Sequence, residues 1–528
     1  MPEVSTVQSG IVYDVSWTCH SICECILLAE MELHTSPTRN ATEKNQKYGS
    51  ETAFKETTPI GCNSVACRNG STYGVFQSKD PILSVEKGFG GKDGDGDGHG
   101  ISVDHPTSYL ETLMHLFKGN VGSGIFALGD AFKNAGILLA PPLTIFLGII
   151  CVHAQHILVR CNEEVTRRMG NSLTQQPGFA GTIELCFATG PLRLRKYSVL
   201  MRRLVNVFLC VTQLGFCCVY FVFISTNMKQ VLDVYGFHLD VHSHMAVILI
   251  PILLSTWIRN LKYLVPFSSI ANFLVISGYI STVYLMSHDL PPISSRNYVA
   301  SWNSLPLFFG TVIYSFEGIT LVLPLKNEMK KPSNFHKPLG VLNVGMVIVG
   351  GMFVTIGFLA YLKYGDSVAG SVTLNLNSKE AGEVETADIS RLPQFIQISI
   401  CLSILLTYSL QFYVPIAIMW PAIVNRYGPF RWPVVAEICF RSFTCFVTFV
   451  LAEAIPQLGL FISLVGAVSS TALALMFPPI IEMVVCWQNA TLGVFTILKD
   501  ILILLIGLLG FATGTYESLT SIVREFSK

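Results

Sequence analysis

The segment His115–Gly124, with the sequence HLFKGNVGSG, contains the residues best suited to chemistry. Three of its last six residues are glycine, and each glycine in a helix costs about 1 kcal/mol relative to alanine. Lys118, Asn120 and Ser123 add polar groups within or beside an apolar run. This pattern is typical of a discontinuous membrane helix, whose freed N–H groups face an anion and whose freed carbonyl groups face a cation. Close packing of continuous helices at small residues is the alternative interpretation.

A second interruption of the same kind lies in the segment Gly310–Ile319, GTVIYSFEGI, which Pro324 follows. Here Glu317 places an acidic group near the middle of an apolar run. A charged side chain at the centre of a bilayer costs roughly 2.5–3.5 kcal/mol or more, so such residues usually face a cavity and have a function. We therefore predict a direct role for Glu317; the alternative is a protonated or paired carboxyl group that holds helices together.

The elements that must position these two segments are apolar runs of membrane-spanning length. Hydrophobic residues make up 51% of the 528 residues and charged residues only 13%, which is too few to solvate the surface of a soluble protein. A span needs about 20 predominantly apolar residues, and backbone in lipid must satisfy its own hydrogen bonds, so each run is predicted to be a helix. The eleven runs are 109–132, 137–159, 199–225, 245–258, 263–286, 305–325, 339–362, 393–420, 433–452, 458–486 and 494–515.

Two interrupted helices five spans apart are the pattern of an inverted-repeat transporter. Spans 1–5 and 6–10 would form the two repeats, and span 11 would be accessory. The predicted fold class is therefore all-α, a polytopic membrane protein of about eleven transmembrane helices in which helices 1 and 6 are broken. A substrate would lie between the broken helices, near the middle of the membrane.

Lysine and arginine residues set the expected orientation, because they concentrate in cytoplasmic connections. They are most frequent in the even-numbered connections, which include Arg167, Arg168, Lys330 and Lys331. The N-terminus is therefore predicted to be cytoplasmic and the C-terminus exoplasmic. The expected domains are a disordered cytoplasmic tail over 1–107, a transmembrane transporter domain over 108–520 and a short exoplasmic tail over 521–528.

Composition and motifs exclude several classes of function. The 35 basic residues are balanced by 35 acidic ones, so the chain as a whole lacks the basic footprint of a nucleic-acid-binding protein. No set of nucleophile and base, and no cluster with metal-ligand spacing, points to an enzyme or to a cofactor. In the tail, Asp93, Asp95 and Asp97 have the spacing of a calcium loop, but their glycine-rich surroundings favour a low-complexity repeat.

Taken together, these motifs resemble those of the proton-coupled amino acid transporters, a family of the amino acid/auxin permease superfamily. The segment His115–Gly124 resembles the signature of that family's first helix. The similarity covers residues 108–520 and includes Lys133–Gly136, Val211–Phe223, Ser315–Gly318 with Leu323–Met329, Gln411–Pro415 and Ser463–Ser470.

The resemblance implies an integral membrane protein with a leucine-transporter-type core of 5+5 inverted repeats, which moves small neutral amino acids together with protons. Vertebrate members at the cell surface carry a cysteine in each of two exoplasmic loops, and this chain has none there. Both the plasma membrane and a lysosomal or endosomal membrane are therefore candidate locations. The length of the tail and the loop sequences resemble those of insect members.

A zwitterionic substrate fits the broken helices without a charged side chain. Its carboxylate can bind N–H groups near Gly122, Ser123 and Gly124, where the helix dipole is positive. Its ammonium group can bind carbonyl groups near Gly119 and near Tyr314 to Phe316, and the bulk of Phe316 would favour small substrates. The predicted substrate-binding residues are Gly119, Asn120, Gly122, Ser123, Gly124, Tyr314, Ser315, Phe316 and Gly318.

Proton coupling is predicted to depend on His115 and Glu317. The family resemblance implies this role for His115, and histidine has an unperturbed pKa of about 6.5, within the working range of a proton symporter. The alternative is a structural histidine bonded to a neighbouring helix. For the whole protein, the alternative function is an amino-acid sensor that transports slowly and signals to growth control, with its signalling partners bound to the N-terminal tail.

Overall fold

In a computed structural model, the structure describes residues 106–170, 176–259, 265–377 and 391–527. Across these ranges the regular secondary structure is helical, apart from one isolated parallel β-bridge between Thr107 and Met329. The predictions made for the tail, including the aspartate run at 93–97, lie outside the described residues.

Fifteen α-helices form the described chain, and we number them in chain order. They are α1 Tyr109–Asn120, α2 Ser123–Ala135, α3 Ala140–Met169, α4 Phe179–Ala188, α5 Ser198–Val234, α6 Val241–Thr256, α7 Val265–Met286, α8 Leu305–Ser315, α9 Ile319–Glu328, α10 Val341–Tyr364, α11 Leu392–Tyr427, α12 Pro433–Ala454, α13 Leu458–Val465, α14 Phe477–Gln488 and α15 Val494–Phe526.

These helices confirm the predicted all-α architecture. Within the described ranges, nine helical stretches are long and apolar enough to cross a membrane. Span 1, made of α1 and α2, and the shorter span 4, made of α6, bring the total to the predicted eleven. Span 6 consists of α8 and α9, and span 10 of α13 and α14.

The structure differs from the sequence prediction mainly at the helix ends. The short helix α4 lies in the connection between spans 2 and 3, where none was predicted. Helix α15 continues to Phe526, so residues 521–526 of the predicted C-terminal tail are helical. Hydropathy marks the part of a helix that suits lipid, but a helix continues into water while its backbone hydrogen bonds persist.

Spans 1 and 6 are both broken, as predicted, and they run in opposite directions. Helix α2 packs against α8, and α1 packs against α9. The start of α1 is held to the end of α9 by a backbone hydrogen bond of 2.8 Å from the N–H of Thr107 to the carbonyl of Glu328. A capping box between Ser108 and Glu111 begins α1. The two broken spans are therefore antiparallel partners, as an inverted repeat requires.

Span 10 contains two π-helical segments, Gly466–Ser470 and Ala472–Met476, between α13 and α14. A side chain at Gly466 would place its Cβ only 1.9 Å from the carbonyl oxygen of Gly310 in α8. Glycine is thus required where the wide turns of span 10 approach span 6. Such π-helical turns occur frequently at functional sites.

Candidate functional site

The break in span 1 is formed by two residues between α1 and α2. Val121 has an extended backbone, and Gly122 follows it before α2 begins at Ser123. The side-chain amide of Asn120 donates a hydrogen bond of 2.9 Å to the carbonyl of Leu116, which completes the last turn of α1. No side chain caps the N-terminus of α2. The break therefore presents the carbonyl end of one half-helix and the N–H end of the other.

The break in span 6 lies between Ser315, which ends α8, and Ile319, which begins α9. The residues of the break are Phe316, Glu317 and Gly318. A side chain at Gly318 would place its Cβ 2.6 Å from Oδ1 of Asn120. Only glycine therefore allows this break to approach the end of α1.

Direct contacts join the two breaks. The hydroxyl groups of Ser123 and Tyr314 lie 3.0 Å apart and are both buried. Ser315 donates a hydrogen bond of 3.1 Å to the carbonyl of Gly124. The structure therefore brings together the two sequence segments that were expected to meet, although 191 positions separate the partners of each contact in the chain.

A small cavity of about 30 Å³, partly open to solvent, lies beside the break in span 1. Its walls come from four spans that are far apart in the sequence. The residues that line it are Lys118, Gly119, Val121 and Gly122 of span 1, Tyr220 of α5, Asn272 and Val275 of α7, and Ser403, Ile404, Thr407 and Gln411 of α11.

Of the predicted substrate-binding residues, only Gly119 and Gly122 line this cavity. The others lie outside the lining, and Ser123, Tyr314, Ser315 and Gly124 hold the two breaks together. The predicted residues outside the lining are Asn120, Ser123, Gly124, Tyr314, Ser315, Phe316 and Gly318.

Phe316, which was predicted to favour small substrates, does not line this cavity. The ring of Phe316 packs edge-on against Phe353 of α10, with ring centroids 4.9 Å apart. It also lies over Gly148 of α3, where an added Cβ would come within 2.8 Å of the ring. The ring points away from the cavity because Gly148, which has no side chain, leaves space for it on the other side of the broken helix.

Glu317 is 5% exposed and does not line the cavity. Its carboxyl group faces Ser470 in the first π-helical segment of span 10. Cys151 of α3 is a further neighbour. Within the described part of the chain, neither carboxyl oxygen makes a hydrogen bond of normal geometry. A buried carboxyl group without partners is costly, so this residue is unlike an ordinary structural ion pair.

His115 lies on the exposed face of α1, outside the residues that line the cavity. The charged groups that act on it are Lys118, one turn further along the same face, and Glu111, one turn before. Glu317 is not among them. The two predicted proton-coupling residues therefore occupy separate environments and do not form a pair.

The sequence analysis did not assign Tyr220, Asn272, Ser403, Thr407 or Gln411 to the site. Asn272 and Ser403 can be noticed in the sequence because each places a polar side chain inside an apolar span. Such a side chain is costly in lipid and usually faces a cavity or a neighbouring helix. That signal does not separate lining residues from packing residues. Tyr408, next to Thr407, is fully buried and bonds to Thr448 over 3.0 Å.

Comparison with known proteins identifies the family. The sequence model of the transmembrane amino acid transporter protein family matches residues 105–520, which include both breaks and every residue that lines the cavity. The chain belongs to the transmembrane amino acid transporter family. It is an integral membrane transporter and not an enzyme.

Two relatives show how far the similarity of this transmembrane amino acid transporter extends. The proton-coupled amino acid transporter-like protein pathetic of Drosophila melanogaster is 33% identical over 425 residues, which cover 80% of this chain and 87% of the relative. The probable amino acid transporter skat-1 of Caenorhabditis elegans is 28% identical over 443 residues, which cover 79% and 90%. A solved structure of Mhp1 in an inward-facing conformation aligns with a TM-score of 0.48 at 12% identity, over 80% of this chain and 92% of that one.

Proposed function

We propose that this transporter carries small neutral amino acids together with protons, by symport. The observation that carries the proposal is the meeting of two broken helices beside a cavity with polar walls. The half-helix ends supply N–H and carbonyl groups that the backbone of a continuous helix would not offer. The Drosophila relative, which is named as proton-coupled, supports the choice of coupling ion.

The lining of the cavity favours a neutral amino acid. Among the described residues that line it, none is acidic. A lysine or arginine substrate would therefore bring a second positive charge that no carboxylate could neutralise. Val275 and Ile404 add apolar walls, which suit a short aliphatic side chain.

Glu317 is the group best placed to bind the transported proton within the core. Its carboxyl group lies at the break of span 6 and faces Ser470, and its oxygens make no hydrogen bond of normal geometry among the described residues. Gaining or losing a proton there changes the charge at a junction of spans 2, 6 and 10. A change of local charge at a helix break biases the balance between two arrangements of the helices.

His115 is proposed to take part from a different position. It lies on the exposed face of α1, one turn from Lys118, which lines the cavity. Protonation of its ring would add a positive charge next to this lysine. We propose that this repulsion couples proton binding on α1 to movement of the half-helix.

The concentration of lysine and arginine in the even-numbered connections supports a cytoplasmic N-terminus. The proposed location is a plasma membrane or a lysosomal or endosomal membrane. The family match begins at residue 105, so the preceding tail is not part of the transporter sequence. This long extra segment favours a second candidate function, in which the tail binds growth-signalling partners and the transporter acts as a slow sensor.

The deciding experiment is current recording in oocytes with a panel of amino acids at two values of external pH. A zwitterion that moves with one proton carries net charge, so small neutral amino acids should evoke inward current at acidic pH after sodium is replaced. A current that disappears with sodium would contradict proton coupling. Saturable binding of amino acids with negligible flux would support the sensor function instead.

A further inference from the structure

We propose that Lys118 is the residue that recognises the carboxylate group of the substrate, which deepens the proposed function and rests on it. Lys118 lies in the last turn of α1, directly before the break in span 1. It is half-buried and lines the cavity. It was not among the residues predicted to bind substrate.

The charge of Lys118 is not balanced inside the cavity. Among the described lining residues it carries the one side chain that is charged at neutral pH, and the others are apolar or uncharged polar residues. Two of those polar groups already have backbone partners, since Ser403 donates to the carbonyl of Ala271 and Thr407 donates to the carbonyl of Ser403. The hydroxyl of Tyr220 lies next to the side chain of Gln411. Lys118 is thus the one described lining residue whose charge meets no opposite charge in the lining.

The acidic residues nearest to Lys118, in the sequence or in the site, contact other groups. Glu111 lies two turns before Lys118 on the exposed face of α1, and its carboxylate accepts a 2.7 Å hydrogen bond from the backbone N–H of Ser108. Glu317 is buried on the side of Ser470 and Cys151 and does not line the cavity. An ammonium group in a half-buried cavity is stabilised by an anion that enters with the substrate.

An amino acid supplies that anion in the required form. Its carboxylate can accept hydrogen bonds from the ammonium group of Lys118 and also approach the uncapped N-terminus of α2, which begins directly after Gly122. The ammonium group of the amino acid then faces uncharged oxygen acceptors such as those of Asn272 and Gln411. This arrangement recognises an α-carboxylate and needs no acidic side chain in the cavity.

A structural role for Lys118 makes a different prediction. A lysine in the last turn of a helix stabilises the negative end of the helix dipole, whatever lies in the cavity. Replacing it would then reduce the stability of the protein without changing which substrates bind. The two roles can be separated by comparing an amino acid with its carboxamide, which has nearly the same size but no negative charge.

The test measures binding of alanine and alaninamide to the purified full-length protein in lipid nanodiscs, by isothermal titration calorimetry. The wild-type protein should prefer alanine. In Lys118→Gln the affinity for alanine should fall by about ten- to a hundredfold, the effect expected for loss of a hydrogen bond to a charged group. The affinity for alaninamide should change little, so the preference should nearly disappear, whereas Lys118→Arg should retain it.

Lys133→Gln is the matched control on the same broken span. Lys133 lies in the last turn of α2, 3.7 Å from Asp130, and donates to the carbonyl of Val368, outside the cavity. This variant should keep the wild-type preference. Lys118→Met is a second neutral variant in case Lys118→Gln does not fold.

An unchanged preference for alanine in a folded neutral variant would overturn the assignment of Lys118 and leave the proposed function standing. A wild-type protein that binds no member of an amino-acid panel would instead contradict the proposed function itself. A parallel loss of affinity for alanine and alaninamide would indicate that the lysine supports the shape of the cavity, and would also overturn the proposal.

Discussion

The hydroxyl group of Tyr314 lies 3.0 Å from that of Ser123, so the last turn of α8 is bonded directly to the first turn of α2. Tyr314 is held from its other side by Phe216 of α5, which meets it edge-on with ring centroids 4.7 Å apart. The two broken spans are thus fixed to each other at the position of the breaks, next to the cavity.

Tyr314→Phe should weaken this junction while keeping the packing of the ring. A neutral hydrogen bond contributes about 0.5–1.5 kcal/mol, and here the hydroxyl of Ser123 would be left without its partner in a buried place. We expect a lower melting temperature of the purified protein and a reduced rate of amino-acid uptake.

A double-mutant cycle with Ser123→Ala isolates the bond, because the effects of the two substitutions should then not add. Tyr109→Phe is the control, since Tyr109 at the start of α1 donates an exposed hydroxyl hydrogen bond to the carbonyl of Leu339. Additive losses of melting temperature would show that the two hydroxyl groups do not stabilise each other.

Glu317→Gln should reach the membrane in normal amounts and lose most of its proton-coupled uptake. The amide has the size of the carboxyl group but cannot release a proton, so it removes titration and preserves shape. Uptake and surface expression are measured separately, and Glu525→Gln near the end of α15 serves as the control. Normal uptake by Glu317→Gln would mean that the carboxyl group only fills space between spans 6 and 10.

His115→Gln and His115→Ala should both be delivered to the membrane but should lose the stimulation of uptake by external acid. Neither replacement titrates between pH 5 and 8, the range in which histidine changes charge. Uptake of a small neutral amino acid is compared at pH 5.5 and pH 7.5. If uptake by His115→Gln still rises several-fold on acidification, the proton site lies elsewhere, and Glu317 is the next residue to examine.

Arg441→Met should destabilise the protein without changing substrate preference. Arg441 is 4% exposed; it donates to Glu437 over 2.9 Å and to the carbonyl of Thr256 over 3.1 Å. Removing one partner of a buried ion pair typically costs about 3–5 kcal/mol. Here Glu437 would keep one partner, the partly exposed Arg259. The measurement is the melting temperature together with the alanine-to-alaninamide preference.

Arg524→Met is the control for this ion pair. The side chain of Arg524 is 73% exposed and lies 3.7 Å from Glu517, and exposed pairs contribute about 0–1 kcal/mol. Equal stability of the two variants would indicate that Arg259, which also contacts Glu437 over 2.7 Å, can replace Arg441.

The parts of this protein that the sequence predicts are those that depend on a few neighbouring residues. Apolar runs of sufficient length give the spans, because lipid excludes backbone that lacks internal hydrogen bonds. The glycines beside Asn120 and Glu317 predict the positions of the two breaks, because glycine has a low helix propensity. The i, i+4 spacing of Glu437 and Arg441 likewise predicts their ion pair, which the structure confirms.

Only the tertiary structure decides which side chains face the cavity. Asn272, Ser403 and Gln411 line it, while Tyr408 is buried in packing and Phe316 points to Gly148. Each of these outcomes depends on how a helix is rotated about its axis, and that rotation is fixed by close packing with helices that are distant in the sequence. Hydropathy and propensity are properties of one segment, so they determine where a helix forms and breaks. The direction of a side chain, and the separation of His115 from Glu317, depend on all the segments packed around it.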